Sequence, residues 1–158
     1  MYNQTRIILS IGALILAPSL SGCGAPGVAE HAELASKPLA SKQTRLKIFR
    51  EKAALNGGAG ARITVDGRQI ADMDNGGSTI IDVAAGKHQI IVDNWQHPNV
   101  YKFDLEAKPG MMYVLEVTAR EEAAVAGMFG LVGLLAEAAA NENGGVWQIR
   151  VVEEKRIS

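Results

Sequence analysis

Short runs of alternating apolar and polar residues dominate the chain after residue 44. Arg45–Glu51 sets Leu46, Ile48 and Arg50 against Lys47, Phe49 and Glu51. Tyr101–Glu106 alternates throughout, with Tyr101, Phe103 and Leu105 on one side and Lys102, Asp104 and Glu106 on the other. Met112–Arg120 places Tyr113, Leu115, Val117 and Ala119 inward, and Val146–Val152 groups Trp147, Ile149 and Val151. A period of two means a strand with one buried and one wet face. Turn residues punctuate these runs. Asp66-Gly67 lies between Arg62–Val65 and Arg68–Met73, which predicts a hairpin with a type I′ turn. Asp74-Asn75-Gly76-Gly77 precedes a strand over Ser78–Val83, and Ala84-Ala85-Gly86-Lys87 precedes one over His88–Trp95. Lys108-Pro109-Gly110 is a further turn. Eight short strands with frequent turns predict a mainly β fold, an antiparallel β-sandwich or partly closed barrel over residues 44–158.

One segment breaks the pattern. Glu121–Asn141 reads as a helix inserted before the last strand, and Ala123–Ala136 carries no charge. At 1.5 Å per residue this apolar stretch is about 21 Å long, short of a bilayer's ~30 Å core, so it is not expected to span. Gly127, Gly130 and Gly133 recur at a spacing of three, not the four-residue spacing of a membrane helix dimer. Three roles stay open: a helix packed on the sandwich, a contact surface for a partner, a copy or the membrane, or a glycine-rich loop. Met128, Phe129, Leu131, Leu134 and Leu135 would carry any contact.

Before residue 44 the pattern differs again. A polar start containing Arg6 leads into the uncharged apolar run Ile7–Leu16, which Pro18 and Ser19 break. This is the layout of a secretory signal peptide, too short for a good spanning helix. It ends in Leu20-Ser21-Gly22-Cys23, which resembles the lipobox of bacterial lipoproteins at all four positions. The resemblance implies cleavage of residues 1–22, diacylglycerol on the Cys23 sulfur and an acylated amine. With Gly24 rather than Asp next, it also implies the outer membrane, facing the periplasm, in a Gram-negative host. Residues 23–43 then read as the lipidated cysteine and a flexible tether, rich in Ala, Ser, Pro and Gly.

Composition narrows the function. Loss of residues 1–22 from 158 leaves 136, one ordinary domain with a tether, and loss of Arg6 moves the formal charge from −1 to −2. No basic stripe for nucleic acid is present. The sole cysteine is Cys23, so no disulfide or Cys metal site is expected after lipidation.

The order Ile63-Thr64-Val65-Asp66-Gly67-Arg68-Gln69-Ile70, Gly76-Gly77, Ile81-Asp82-Val83, Gly86-Lys87-His88-Gln89-Ile90, Tyr101–Leu105, Lys108-Pro109-Gly110 and Tyr113–Val117 resembles bacterial lipoproteins built on a small domain with no assigned activity. It is also similar to the β-sandwich repeats of the PEGA type. The resemblance covers about residues 45–120 and implies the fold; it carries no catalytic residues.

Candidate chemistry is sparse. His31, His88 and His97 lack metal-ligand spacing and read as ordinary surface residues. Asp72–Gly76 departs from a calcium loop at positions 76 and 83 and reads as a turn. Gly57-Gly58-Ala59-Gly60 leads into a strand, not the helix of a phosphate loop. No metal, cofactor or catalytic set is assigned. The leading expectation is a non-enzymatic, lipid-anchored envelope protein, held to the membrane by Cys23, whose sandwich contacts an envelope protein or its own copies. The alternative is a periplasmic glycan- or small-molecule-binding domain with a ligand edge at Trp95, His97 and Tyr101.

Overall fold

The computed structural model describes residues 34–52, 59–95, 97, 99–122, 132 and 143–157. Eight strands appear: β1 Gln43–Arg50, β2 Ala61–Val65, β3 Arg68–Met73, β4 Ser78–Ala84, β5 Gly86–Asp93, β6 Tyr101–Ala107, β7 Met111–Ala119 and β8 Trp147–Arg156. They form two four-stranded sheets, ordered β4-β1-β7-β8 and β3-β2-β5-β6. All neighbours are antiparallel except β1 and β7, which run parallel. The eight predicted strands are all present, in a sandwich. The chain crosses between sheets after β1, β3, β4 and β6, and across the core β8 approaches β5 and β6 while β3 approaches β4.

The alternation sets the core. Leu46 and Ile48 of β1, Tyr113, Leu115 and Val117 of β7, and Trp147 and Ile149 of β8 point inward from the first sheet. Ala61, Ile63 and Val65 of β2, Ala71 and Met73 of β3, and Ile90 and Val92 of β5 answer from the second. Register explains why they meet: Leu46 lies opposite both Ile81 and Tyr113, and Ile63 opposite both Ala71 and Val92. Directly opposed residues share a face, so each pair deepens one hydrophobic layer.

The Asp66-Gly67 hairpin has the expected conformation. Both residues have positive φ, 50° and 79°, as a type I′ turn requires. Of residues 23–43, those from Leu34 onward are described. Leu34–Ser36 forms a helical turn, and the Ala35 carbonyl accepts a bond from Arg45 Nη1 at 3.1 Å. Of the helix expected near 121–141, only Glu121, Glu122 and Val132 are described. Met128, Phe129, Leu131, Leu134 and Leu135 lie outside the described residues, as do Cys23 and the lipobox. Among the described residues no helix is long and apolar enough to cross a membrane.

Candidate functional site

Each sheet has two edges, and three of the four carry a bulge or a side chain bonded along the strand interior, features that disfavour strand addition. On β3, register slips between Ile63 and Thr64 leave Ile70 as an extra, bulged residue. On β8, the slip between Val114 and Leu115 bulges Val152, and the strand ends in the charged run Glu153–Arg156. At the β6 edge, the Asn143 side chain acts as a strand residue would. Its Oδ1 accepts from the Lys102 N–H at 2.6 Å and its Nδ2 donates to the Lys102 carbonyl at 3.1 Å. Bulges, charges and covered groups are the usual protections of an edge. β4 has no bulge; its one charge, Asp82, is paired with Arg45, and only its last carbonyl, that of Ala84, is held by His88. It pairs with β1 over seven unbroken register positions, and no other described strand pairs with its second side.

Beside the β4 edge lies a cavity of about 720 Å³, between β4 and β3. Its apolar walls are Val65, Ile70, Ile81 and Val83, and Leu34 closes one side. Ile70, Ile81 and Val83 are inward-facing residues left half-buried where the sheet edges part. The groove therefore opens onto the margin of the core.

Two ion pairs frame it. On the outer face of the first sheet Arg45 lies directly opposite Asp82 and binds it with two parallel bonds, Nε to Oδ1 at 2.7 Å and Nη2 to Oδ2 at 2.9 Å. The bond to Asp82 raises the Arg45 pKa above its ordinary range, against a smaller opposing effect of burial. At the turn end, His88 Nδ1 contacts Asp66 Oδ2 at 2.6 Å and Nε2 contacts the Ala84 carbonyl at 2.7 Å. Both partners are acceptors, and only an imidazolium donates from both ring nitrogens. Burial alone would lower the His88 pKa, but the bonds to Asp66 and Ala84 outweigh it and raise it. The His88 bond in turn lowers Asp66. Asp66 also accepts from the Gln89 N–H at 2.9 Å, so one residue ties the β2–β3 turn to β5.

His88 is therefore no ordinary surface residue. It shares the inward parity of Ile90 and Val92 on β5, and only 9% of its side chain is exposed. His97 is buried as well, its ring accepting from the Asn99 N–H at 3.3 Å while its backbone closes a turn on Asn94. The expected ligand edge is not assembled as one surface. Trp95 is 74% exposed, His97 is buried and Tyr101 is half-buried against the core. Of Asp72–Gly76, Asp72 and Met73 end β3, and the turn follows them, closed by the Gly77 N–H on the Asp74 carbonyl at 2.9 Å. Among the described residues no group of three or more His, Cys, Asp or Glu is placed to hold a metal ion.

The groove was not foreseen in the sequence, because Leu34 and Ile70 belong to segments with no shared pattern. The only available signal was the regular, nearly uncharged run Ser78–Ala84. Compared with protein-family models and with curated proteins, the chain matches none, so its function is read from its own residues.

Proposed function

We propose that the chain is a lipid-anchored envelope protein whose β-sandwich is a binding module. Anchoring rests on Leu20-Ser21-Gly22-Cys23 behind the apolar run Ile7–Leu16. A thiol is the side chain suited to accept a diacylglycerol near neutral pH, and two or three acyl chains hold where one holds only marginally. The observation that carries the binding role is the unbulged β4 edge beside the apolar groove. An extended segment of a partner protein, laid along β4, would find backbone donors and acceptors at the edge. Its alternate side chains would enter between Ile70, Ile81 and Val83.

The test has two arms. Metabolic labelling with an alkynyl fatty acid should mark the protein and fail in Cys23→Ser, which should also leave the membrane fraction. A photo-crosslinking residue at Ala84 on β4 or Gln69 on β3 should capture a partner protein in cells, while the same probe at Lys102 should not. Equal capture from all three positions would defeat the β4 assignment. Capture of the chain by itself would make the partner a second copy.

A further inference from the structure

We infer that the outer face of the first sheet, where the chain from Cys23 joins the fold, rests on an anionic phospholipid surface. This depends on the lipid anchor proposed above and adds an orientation and a lipid preference to it. A concavity of about 400 Å³ lies there, and among the described residues its lining contains four cations, Lys37, Arg45, Lys47 and Lys155, and no carboxylate. Arg45 is matched by Asp82, and Lys155 has Glu153 at 3.3 Å. Lys37 and Lys47, both exposed, carry the positive excess. The cavity at the outer face of the second sheet has the opposite character, with Asp66, Asp104 and Glu106 around Lys87.

Chain length supplies the second argument. Leu34 lines the neighbouring groove and the Ala35 carbonyl is fixed to Arg45, so the fold is held from this point. Residues 23 to 34 are eleven steps apart. Such a segment reaches at most about 40 Å fully extended and about 18 Å as a coil. The headgroup region itself is roughly 5–8 Å deep on each side. The face carrying Lys37 is thus the part of the fold the anchor brings nearest to lipid. Unpaired surface charges act over about 8 Å at physiological salt, which this distance allows them to use. Apolar side chains lie among the cations: Leu39 is half-buried, and Ile157 at the rim is 37% exposed. Cations with apolar neighbours suit the boundary between phosphates and acyl chains.

The lipidated full-length protein can be placed in vesicles of pure phosphatidylcholine and in vesicles that also contain phosphatidylglycerol. Acetylation of each lysine is then followed by mass spectrometry. Lys37, Lys47 and Lys155 should react about fivefold more slowly in the anionic vesicles, an effect that high salt removes, while Lys87 and Lys102 should not change. The double variant Lys37→Gln, Lys47→Gln should restore the reactivity of Lys155 with an unchanged melting temperature, since both side chains are solvent-exposed. Equal rates in the two vesicle types, or protection shared by Lys102, would overturn the inference. So would equal protection by inorganic phosphate in neutral micelles, which would make the concavity a site for a soluble anion. Absence of acyl mass on Cys23 would instead defeat the anchoring reading, and is seen in the same spectra.

Discussion

Trp147 Nε1 donates a hydrogen bond at 3.0 Å to the carbonyl of Gly60, 87 residues earlier in the chain. Asn94 Nδ2 donates to the same oxygen, also at 3.0 Å. The Arg50 guanidinium lies 4.1 Å over the Trp147 ring and donates to the Ala59 carbonyl. Residues from β1, the end of β5 and β8 thus converge on the two residues before β2. Burial lowers the Arg50 pKa, yet the group remains a cation, because an arginine stays charged across the accessible pH range.

Trp147→Phe should remove the hydrogen bond while keeping an aromatic ring beneath Arg50, with a small added loss of buried volume. A loss of about 1–2 kcal/mol is expected in urea unfolding, as the Gly60 carbonyl keeps Asn94. Trp147→Ala should lose about 3–5 kcal/mol, since the ring fills the core. If both variants lose the same amount, packing of the indole contributes nothing and the account is wrong.

These long-range ties mark the limit of what the sequence makes legible. Strand positions and inward faces follow from alternation, because Tyr101, Phe103 and Leu105 need only their neighbours to show a buried side. The type I′ turn follows from Asp66-Gly67 for the same local reason. Pairing order does not. Nothing local places β7 beside β1, and hence nothing local reveals which edges stay open. Arg50 offered a clue, since it has the inward parity of Leu46 and Ile48, but its aromatic and carbonyl partners lie in other strands. Arg45 and Asp82 are 37 residues apart and become a pair only through the β1–β4 register. The Asp66–His88 pair needs the β2–β5 alignment in the same way.

Arg45 and Asp82 should be strongly coupled. Arg45 is 2% exposed and Asp82 19%, so removal of either partner leaves a poorly hydrated charge. Asp82→Ala should cost about 2–4 kcal/mol. Arg45→Lys should cost roughly 1–2 kcal/mol, because it keeps a charge but loses the two parallel bonds and the donation to Ala35. In a double-mutant cycle of Arg45→Met with Asp82→Leu, the pair should lose much less than the sum of the singles. Additive losses would mean the two side chains act separately.

Stability should vary with pH through His88 and Asp66. His88 is raised above its ordinary 6.5, so its contribution is complete below that value and is lost as pH rises through the raised one. Asp66 is lowered from 3.8, so its contribution is present above 3.8 and is lost as pH falls through the lowered one. The pair therefore contributes most between these limits. Lys87 and Gln89 on β5, Asp104 and Glu106 on β6, Arg68 on β3 and Asp82 on β4 line the cavities on either side. Melting temperature followed from about pH 5 to about pH 9 should fall in the wild type and flatten in His88→Gln. A slope unchanged in His88→Gln would mean that the Asp66–His88 pair does not set the pH dependence.

Gly67 and Gly145 should respond differently to the same substitution. Both have positive φ, 79° and 99°, so alanine is strained at either position. At Gly67 an added Cβ meets nothing within 4 Å, and the backbone strain alone should cost about 1–2 kcal/mol. At Gly145 the added Cβ would sit 3.0 Å from the Asn99 carbonyl oxygen and 3.5 Å from the Tyr101 nitrogen. Those are backbone atoms that cannot swing aside. The Gly145 carbonyl also accepts from Arg120 Nη1 at 3.2 Å, and Asn143, two residues earlier, holds Lys102 on the β6 edge. Gly145→Ala should therefore cost about 2–4 kcal/mol. It should also speed amide exchange at Lys102, whereas Gly67→Ala should leave that amide unchanged. A Lys102 amide that stays equally protected in both variants would mean that Asn143 guards the β6 edge independently of the backbone at Gly145.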